Sequence, residues 1–237
     1  MITYYAPPES IFNDKIYLSD SEFHHAINVT RREPGEIVRV VDGQGMVYFA
    51  RIEKVDHGKK VAVLNILEVH RTEIEPTTHV GILQGVIKGE RMDYFVEKAT
   101  EVGVKEIYPL ITEKSYRPGV GRVERWRKVA ISAMKQSGRA FLPEIHEPIE
   151  FEKIPGILKN YSTLLMLDQR GRRNLKNQAL TNKILILVGP ESGLEEEERE
   201  MAKSWGFEEI SLGKRTLRAE TAGVIALGVI LFLNNDL

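Results

Sequence analysis

The 237-residue chain contains no cysteine. That excludes disulfides and thiolate metal sites, and it fits a reducing compartment. A membrane-spanning run is also missing. The longest apolar stretch, residues 224–233, is well short of the roughly 20 residues a bilayer span needs, so it reads as a buried helix. Residues 1–8 have neither the basic segment nor the apolar segment of a secretory signal. A cytoplasmic protein with no membrane partner is the expectation. Net charge is nearly absent as well, at −1 from 33 Lys and Arg against 34 Asp and Glu. Nucleic-acid binders are more often basic overall.

Several familiar catalytic motifs are missing too. No G-x-x-x-x-G-K-[ST] occurs, which excludes a P-loop nucleotidase. The first strand of the second half is not followed by G-x-G-x-x-G, so a dinucleotide-binding fold has no support. There is no G-x-S-x-G and no H-E-x-x-H, which removes the usual serine hydrolases and zinc proteases. His24 and His25 stand together without further ligands at useful spacing, and no metal is expected.

What is present is unevenly distributed. Between Lys114 and Arg139 lie eight basic residues and one acid, Glu124. Between Glu191 and Glu200 lie six glutamates and one arginine. Screening confines each charge to about 8–10 Å, so a basic face can bind phosphate on a neutral molecule. Hydrophobic residues make up 42 % and charged residues 28 %, enough for a globular core.

The pattern changes along the chain. Residues 37–41, 46–54 and 61–69 alternate like short strands joined by tight turns at Asp42-Gly43 and His57-Gly58, which suggests a small barrel. Residues 21–29 fit a helical turn or two. A linker-like texture follows at 72–78. Beyond it, strand-length apolar runs at 80–86, 105–111, 163–167, 184–188 and 209–212 alternate with helical spacing at 91–102, 122–138, 194–205 and 220–234. Such alternation predicts a mostly parallel sheet covered on both faces. The expected domains are residues 1–70 and 75–237.

Open α/β sheets bind ligands beyond the carboxyl ends of their strands. Three such ends stand out: residues 167–171, 188–193 and 211–218. The second holds Gly189, Pro190 and Gly193, and glycine lets backbone N–H groups approach a ligand. Ser192 with Glu195 also fits a helix capping box, with the later glutamates complementing the helix dipole. The third is cationic and leads into Glu220-Thr221, the start of the last helix.

These segments resemble the C-terminal signature of the RsmE family, the 16S ribosomal RNA (uracil-N3)-methyltransferases of the SPOUT class. The likeness rests on residues 188–194, V-G-P-E-S-G-L, and 212–222, L-G-K-R-T-L-R-A-E-T-A. It extends to residues 88–93, 96–103, 136–145 and, in the N-terminal part, His24 through Val29, Arg31, Pro34 and Gly35. The resemblance implies an α/β fold whose SPOUT domain carries a deep trefoil knot, preceded by a PUA-like β-barrel that helps seat RNA. It implies S-adenosylmethionine as cofactor, 16S rRNA of the small subunit as partner, and a homodimer. Cofactor-binding residues would be Leu167, Val188, Gly189, Pro190, Glu191, Gly193, Ser211, Leu212, Gly213, Leu217, Arg218, Thr221 and Ala222.

Two departures from the family are visible. Ser192 stands where relatives have glycine, and Ile2-Thr3 occupy a place where they often carry arginine. For the chemistry, Arg218 would stabilise a developing uracil anion with its forked donors, and Glu220 or Glu191 would accept the N3 proton. Candidate phosphate contacts are Arg31, Arg32, Arg122, Arg125, Arg139 and Arg172. The alternatives are a SPOUT enzyme acting on transfer RNA or a ribose hydroxyl, and a non-catalytic RNA-binding module.

Overall fold

A computed structural model of the chain describes residues 2–171 and 173–237. Arg172, one of the expected phosphate contacts, lies outside the described residues. The chain forms two compact units: Met1–Glu75 with Ile131–Leu142, and Pro76–Ala130 with Pro143–Leu237.

The first unit contains β1 (Thr3–Tyr5), β2 (Ile11–Phe12), β3 (Lys15–Leu18), α1 (Asp20–Phe23), β4 (Ile37–Val41), β5 (Met46–Asp56) and β6 (Val61–Arg71). They build one sheet in the order β1-β4-β5-β6-β3-β2. Alternation sets the inner face: Val38 and Val40 of β4 are buried while Ile37 is exposed. Tyr4, Ile16, Leu18, Ile52 and Leu64 complete that core. Register shifts at Phe49/Ala50 and Ile52/Lys54 bend β5, as bulges do. The helical turn expected at 21–29 is α1 continued by a π-helical turn at His24–Val29. Strands β1–β3 span two to four residues each, too short to show a period in sequence.

Residues 131–142 pack in this unit although they lie far along the chain. Met134 and Ala140 bury against Val41 and Val47. Arg139 is only 4 % exposed, and its guanidinium donates to Glu75, with Nη2 at 2.7 Å. Glu75 also accepts from the backbone N–H groups of Ala140 and Phe141 at 3.1 Å each. The expected phosphate contact at Arg139 is thereby corrected. A buried guanidinium bonded to a carboxylate is structural and is not presented to RNA.

The second unit contains β7 (His79–Gly85), α2 (Glu90–Val102), β8 (Glu106–Ile111), α3 (Arg122–Ser137, shared with the first unit), β9 (Glu144–Ile145), β10 (Ile149–Glu150) and α4 (Pro155–Leu158). It continues with β11 (Thr163–Leu167), β12 (Arg173–Asn174), β13 (Lys183–Val188), α5 (Glu196–Ser204), β14 (Glu208–Ser211) and α6 (Ala219–Leu233). The sheet order is β10-β8-β7-β13-β11-β14-β12, with β9 beside β8, and every described pairing is parallel. Strands β7 and β13 are buried almost throughout, as parallel strands covered on both faces must be. No helix among the described residues is long and apolar enough to cross a membrane.

Candidate functional site

Register brings three strand ends together. Leu167 of β11 pairs with Val188 of β13 on one side and with Ile210 of β14 on the other. The loops leaving these residues therefore emerge side by side and bound a cleft of 910 Å³. Leu167, Val188, Leu194, Ile210, Leu212 and Leu217 give it apolar walls. Of the expected cofactor residues, Gly189, Pro190, Glu191 and Gly193 of the second loop line it, as do Ser211, Gly213 and Arg218 around the third and Ala222 in the first turn of α6. Thr221 is half-buried and does not line it.

The second loop is tightly folded. Its Gly193 N–H donates to the Pro190 carbonyl at 2.9 Å, and Gly193 takes a left-handed φ of 74°. Ser192 takes no such conformation, so the serine departure carries no backbone strain. The helix after the loop starts later than the sequence suggests. Its N-cap is Glu195, in a capping box with Glu198, so the expected pairing of Ser192 with Glu195 is shifted by three residues. Gly85, at the end of β7, belongs to no loop motif in the sequence. A Cβ there would run into the backbone of Gly189 and Pro190, so glycine lets the loop sit on the strand end.

Asp168 fixes the first loop. It accepts from the Arg170 N–H at 2.7 Å and forms an ion pair with buried Arg199 at 3.0 Å. Burial works against its ionised form, yet Arg170 and Arg199 hold its carboxyl below the usual range. In the third loop Arg218 is the exposed N-cap residue of α6, at the cleft.

The two expected proton acceptors differ. Glu191 lines the cleft and pairs with Arg91 at 2.7 Å, each side chain 40 % exposed. Arg91, from the first turn of α2, also lines the cleft and was not singled out from sequence. Glu220 is 4 % exposed and does not line the cleft, which removes it as the acceptor of a proton from a base held there. Its Oε2 is buried and unpartnered. Among the expected phosphate contacts, Arg31 is exposed, Arg122 is half-buried, Arg32 pairs with Glu36 at 2.6 Å, and Arg125 pairs with Asp93 at 2.6 Å.

A family model described as an RNA methyltransferase domain matches residues 74–231, and another described as an RNA methyltransferase PUA domain matches residues 18–65. The chain is an RNA methyltransferase with an N-terminal PUA domain. The ribosomal RNA small subunit methyltransferase E of a Synechocystis strain is 30 % identical over 230 residues, covering 94 % of this chain and 75 % of that protein. Its namesake from Buchnera aphidicola of Acyrthosiphon pisum is 28 % identical, covering 94 % and 90 %. The crystal structure of the Neisseria gonorrhoeae enzyme of that name, bound to S-adenosyl methionine, superposes with a TM-score of 0.90 at 31 % identity, covering 98 % of each chain. The chain belongs to the ribosomal RNA small subunit methyltransferase E family.

Proposed function

We propose that this protein transfers a methyl group from S-adenosylmethionine to N3 of a uridine in the 16S ribosomal RNA of the small subunit. The carrying observation is the cleft at the ends of β11, β13 and β14, with Arg218 exposed beside it. Its donor set suits the cofactor. Leucine and isoleucine side chains offer apolar walls for a flat base, and loop backbone groups around Gly189, Leu212 and Gly213 offer the donors and acceptors its edge needs. The volume lies within the roughly 300–1,000 Å³ of small-molecule sites. When bound, the cofactor supplies an electrophilic methyl group on a sulfonium.

The residues of the chain have two tasks. N3 of uracil keeps its proton at neutral pH, so the proton must leave as the nitrogen attacks. Arg218 stabilises the negative charge that develops on the uracil oxygens, its guanidinium offering two parallel donors. Glu191 accepts the proton, held at the cleft by Arg91. Arg31, Arg32, Arg122 and Arg125 are the remaining described candidates for RNA phosphates, and the first unit seats the RNA.

The position of β13 between β7 and β11, both earlier in sequence, supports a threaded, knotted chain. Ile225, Val229 and Phe232 form an exposed apolar stripe on α6, 40 %, 36 % and 67 % accessible, which supports a homodimer with a second copy covering it. A ribosomal substrate supports a cytoplasmic location. The deciding experiment is nucleoside mass spectrometry of small-subunit rRNA from a deletion strain. Loss of 3-methyluridine, restored by the wild-type gene and not by Arg218→Ala, is the expected result. Unchanged 3-methyluridine would overturn the assignment of the base and atom.

A further inference from the structure

We propose that the amino-terminal edge of the parallel sheet holds a site for a first-row divalent cation of the zinc class, built from Glu106, Glu144 and His146 with His79 beside them. It is separate from the cofactor cleft. His79 pairs with Lys183 at the start of β13, and Gln84 pairs with Val188 at its end. Five residue steps at ~3.3 Å put about 17 Å of strand between the two edges.

Pairing of β8 with β9 puts Glu106 opposite Glu144. His146, two residues beyond Glu144, continues on the same face. One donor atom from each of Glu106, Glu144 and His146 lies within 4.8 Å of the other two. The two nitrogens of His146 face the two carboxylates: Nε2 is 2.9 Å from Glu106 Oε2, and Nδ1 is 3.4 Å from Glu144 Oε1. On its other oxygen Glu106 meets His79 Nε2 at 2.5 Å. Two imidazoles and two carboxylates thus converge from the starts of three neighbouring strands.

The donors are held before any ion arrives. The ring of Tyr108 stacks on His146 with centroids 4.0 Å apart and planes at 4°. Its hydroxyl donates to Glu106 and accepts from buried Tyr161 at 3.4 Å. This gives the imidazole and the carboxylate the outer support that orients ligands in metal sites. Access is open from one side, since the Glu144 side chain is 70 % exposed while His146 and Glu106 are 24 % and 17 %. Mixed nitrogen and oxygen donors suit zinc better than magnesium or calcium, which favour all-oxygen shells. Three protein ligands leave one tetrahedral position for water or for His79. The role is structural: the ion ties together the first residues of β7, β8 and the segment starting at β9.

The test uses tag-free full-length protein stripped with a chelator and titrated with zinc by calorimetry. Cobalt is added in parallel and followed by visible absorption. One equivalent should bind, raise the melting temperature and, for cobalt, give bands of a nitrogen- and oxygen-ligated ion. His146→Ala should weaken binding at least about a hundredfold, and Tyr108→Phe, which keeps every ligand, about tenfold. Glu144→Gln alters an exposed residue, so its effect reads the site in a folded protein. No uptake by the wild type overturns the proposal. Uptake unchanged in both His146→Ala and Glu144→Gln also overturns it, because the ion would then sit elsewhere, with His24 and His25 the first place to look.

Discussion

The two edges of the parallel sheet are built on opposite plans. At the carboxyl edge the working groups belong largely to loops and backbone, and glycines bring the chain close enough to itself to form a cleft. At the amino edge the proposed ligands are side chains at the strand starts, with His146 just past β9, held by ring stacking and by hydrogen bonds onto Glu106. Helices and loops that follow strands enlarge the carboxyl edge, which is why open α/β sheets carry their chemistry there. Strand starts have less covering and can be tied by direct contacts. On the proposed assignments reaction concentrates on one edge and anchoring on the other, and variants should separate the two.

The largest separation is expected at Arg218. In Arg218→Ala, methyl transfer should fall by roughly 10²–10³-fold or more, as when one preorganised donor to a developing anion is lost. Cofactor affinity by calorimetry should stay within a few-fold of wild type. Turnover near wild type on small subunits would remove Arg218 from the chemistry. Next comes Gly189→Val. A Cβ at this position would lie 3.0 Å from Leu194 N and 3.1 Å from Gly193 C, so a branched side chain must push the loop open. With strain of about 1–3 kcal/mol, cofactor affinity should drop by roughly 5- to 150-fold. Normal affinity would mean the pocket lies elsewhere.

A smaller effect, on the other edge, should show the converse. Tyr161→Phe deletes a buried hydroxyl that donates to Tyr108, and about 1 kcal/mol of stability should go with it. The melting temperature should fall while cofactor affinity does not change. A fall in affinity as large as that of Gly189→Val would show that the edges are coupled and would dissolve the distinction.

The same contrast explains what could be read from sequence. The carboxyl edge is made of contiguous segments, and 188–193 and 211–218 carry their glycines and cations as short motifs. Their strands and helices follow from period alone, within a few residues. The capping box differs from the expected one because residues 195–198 are four glutamates in a row, so that Glu195 with Glu198 offers a second box three residues further on. Glu220 stands close to Arg218 in sequence, yet it lies two residues on, about 200° round at about 100° per residue, and faces the interior instead of the cleft. The amino edge left no local trace. Glu106 is 27 residues from His79 and 40 from His146, and only strand pairing brings them together. The burial of Arg139 leaves no local trace for the same reason, since its partner Glu75 is 64 residues away.

The smallest expected effect concerns pH at the carboxyl edge. Asp168 is partly buried, which opposes its charge, but Arg170 and Arg199 lower its folded pKa below the unfolded value of about 3.9. A depressed carboxylate contributes stability that is fully present above its unfolded pKa and is lost as pH falls through the folded one. At pH 7 the wild type should therefore melt higher than Asp168→Asn, and the gap should be nearly constant down to about pH 5. Below about pH 4 the gap should narrow as Asp168 takes up its proton. Cofactor affinity should follow the same course, because Asp168 also lines the cleft and holds the loop after β11 in place. Paired melting curves of the two proteins between pH 7 and pH 3.5 measure the gap directly. A gap that widens on acidification would reverse the sign assigned to Asp168 and would mean that burial, rather than the two arginines, governs its charge.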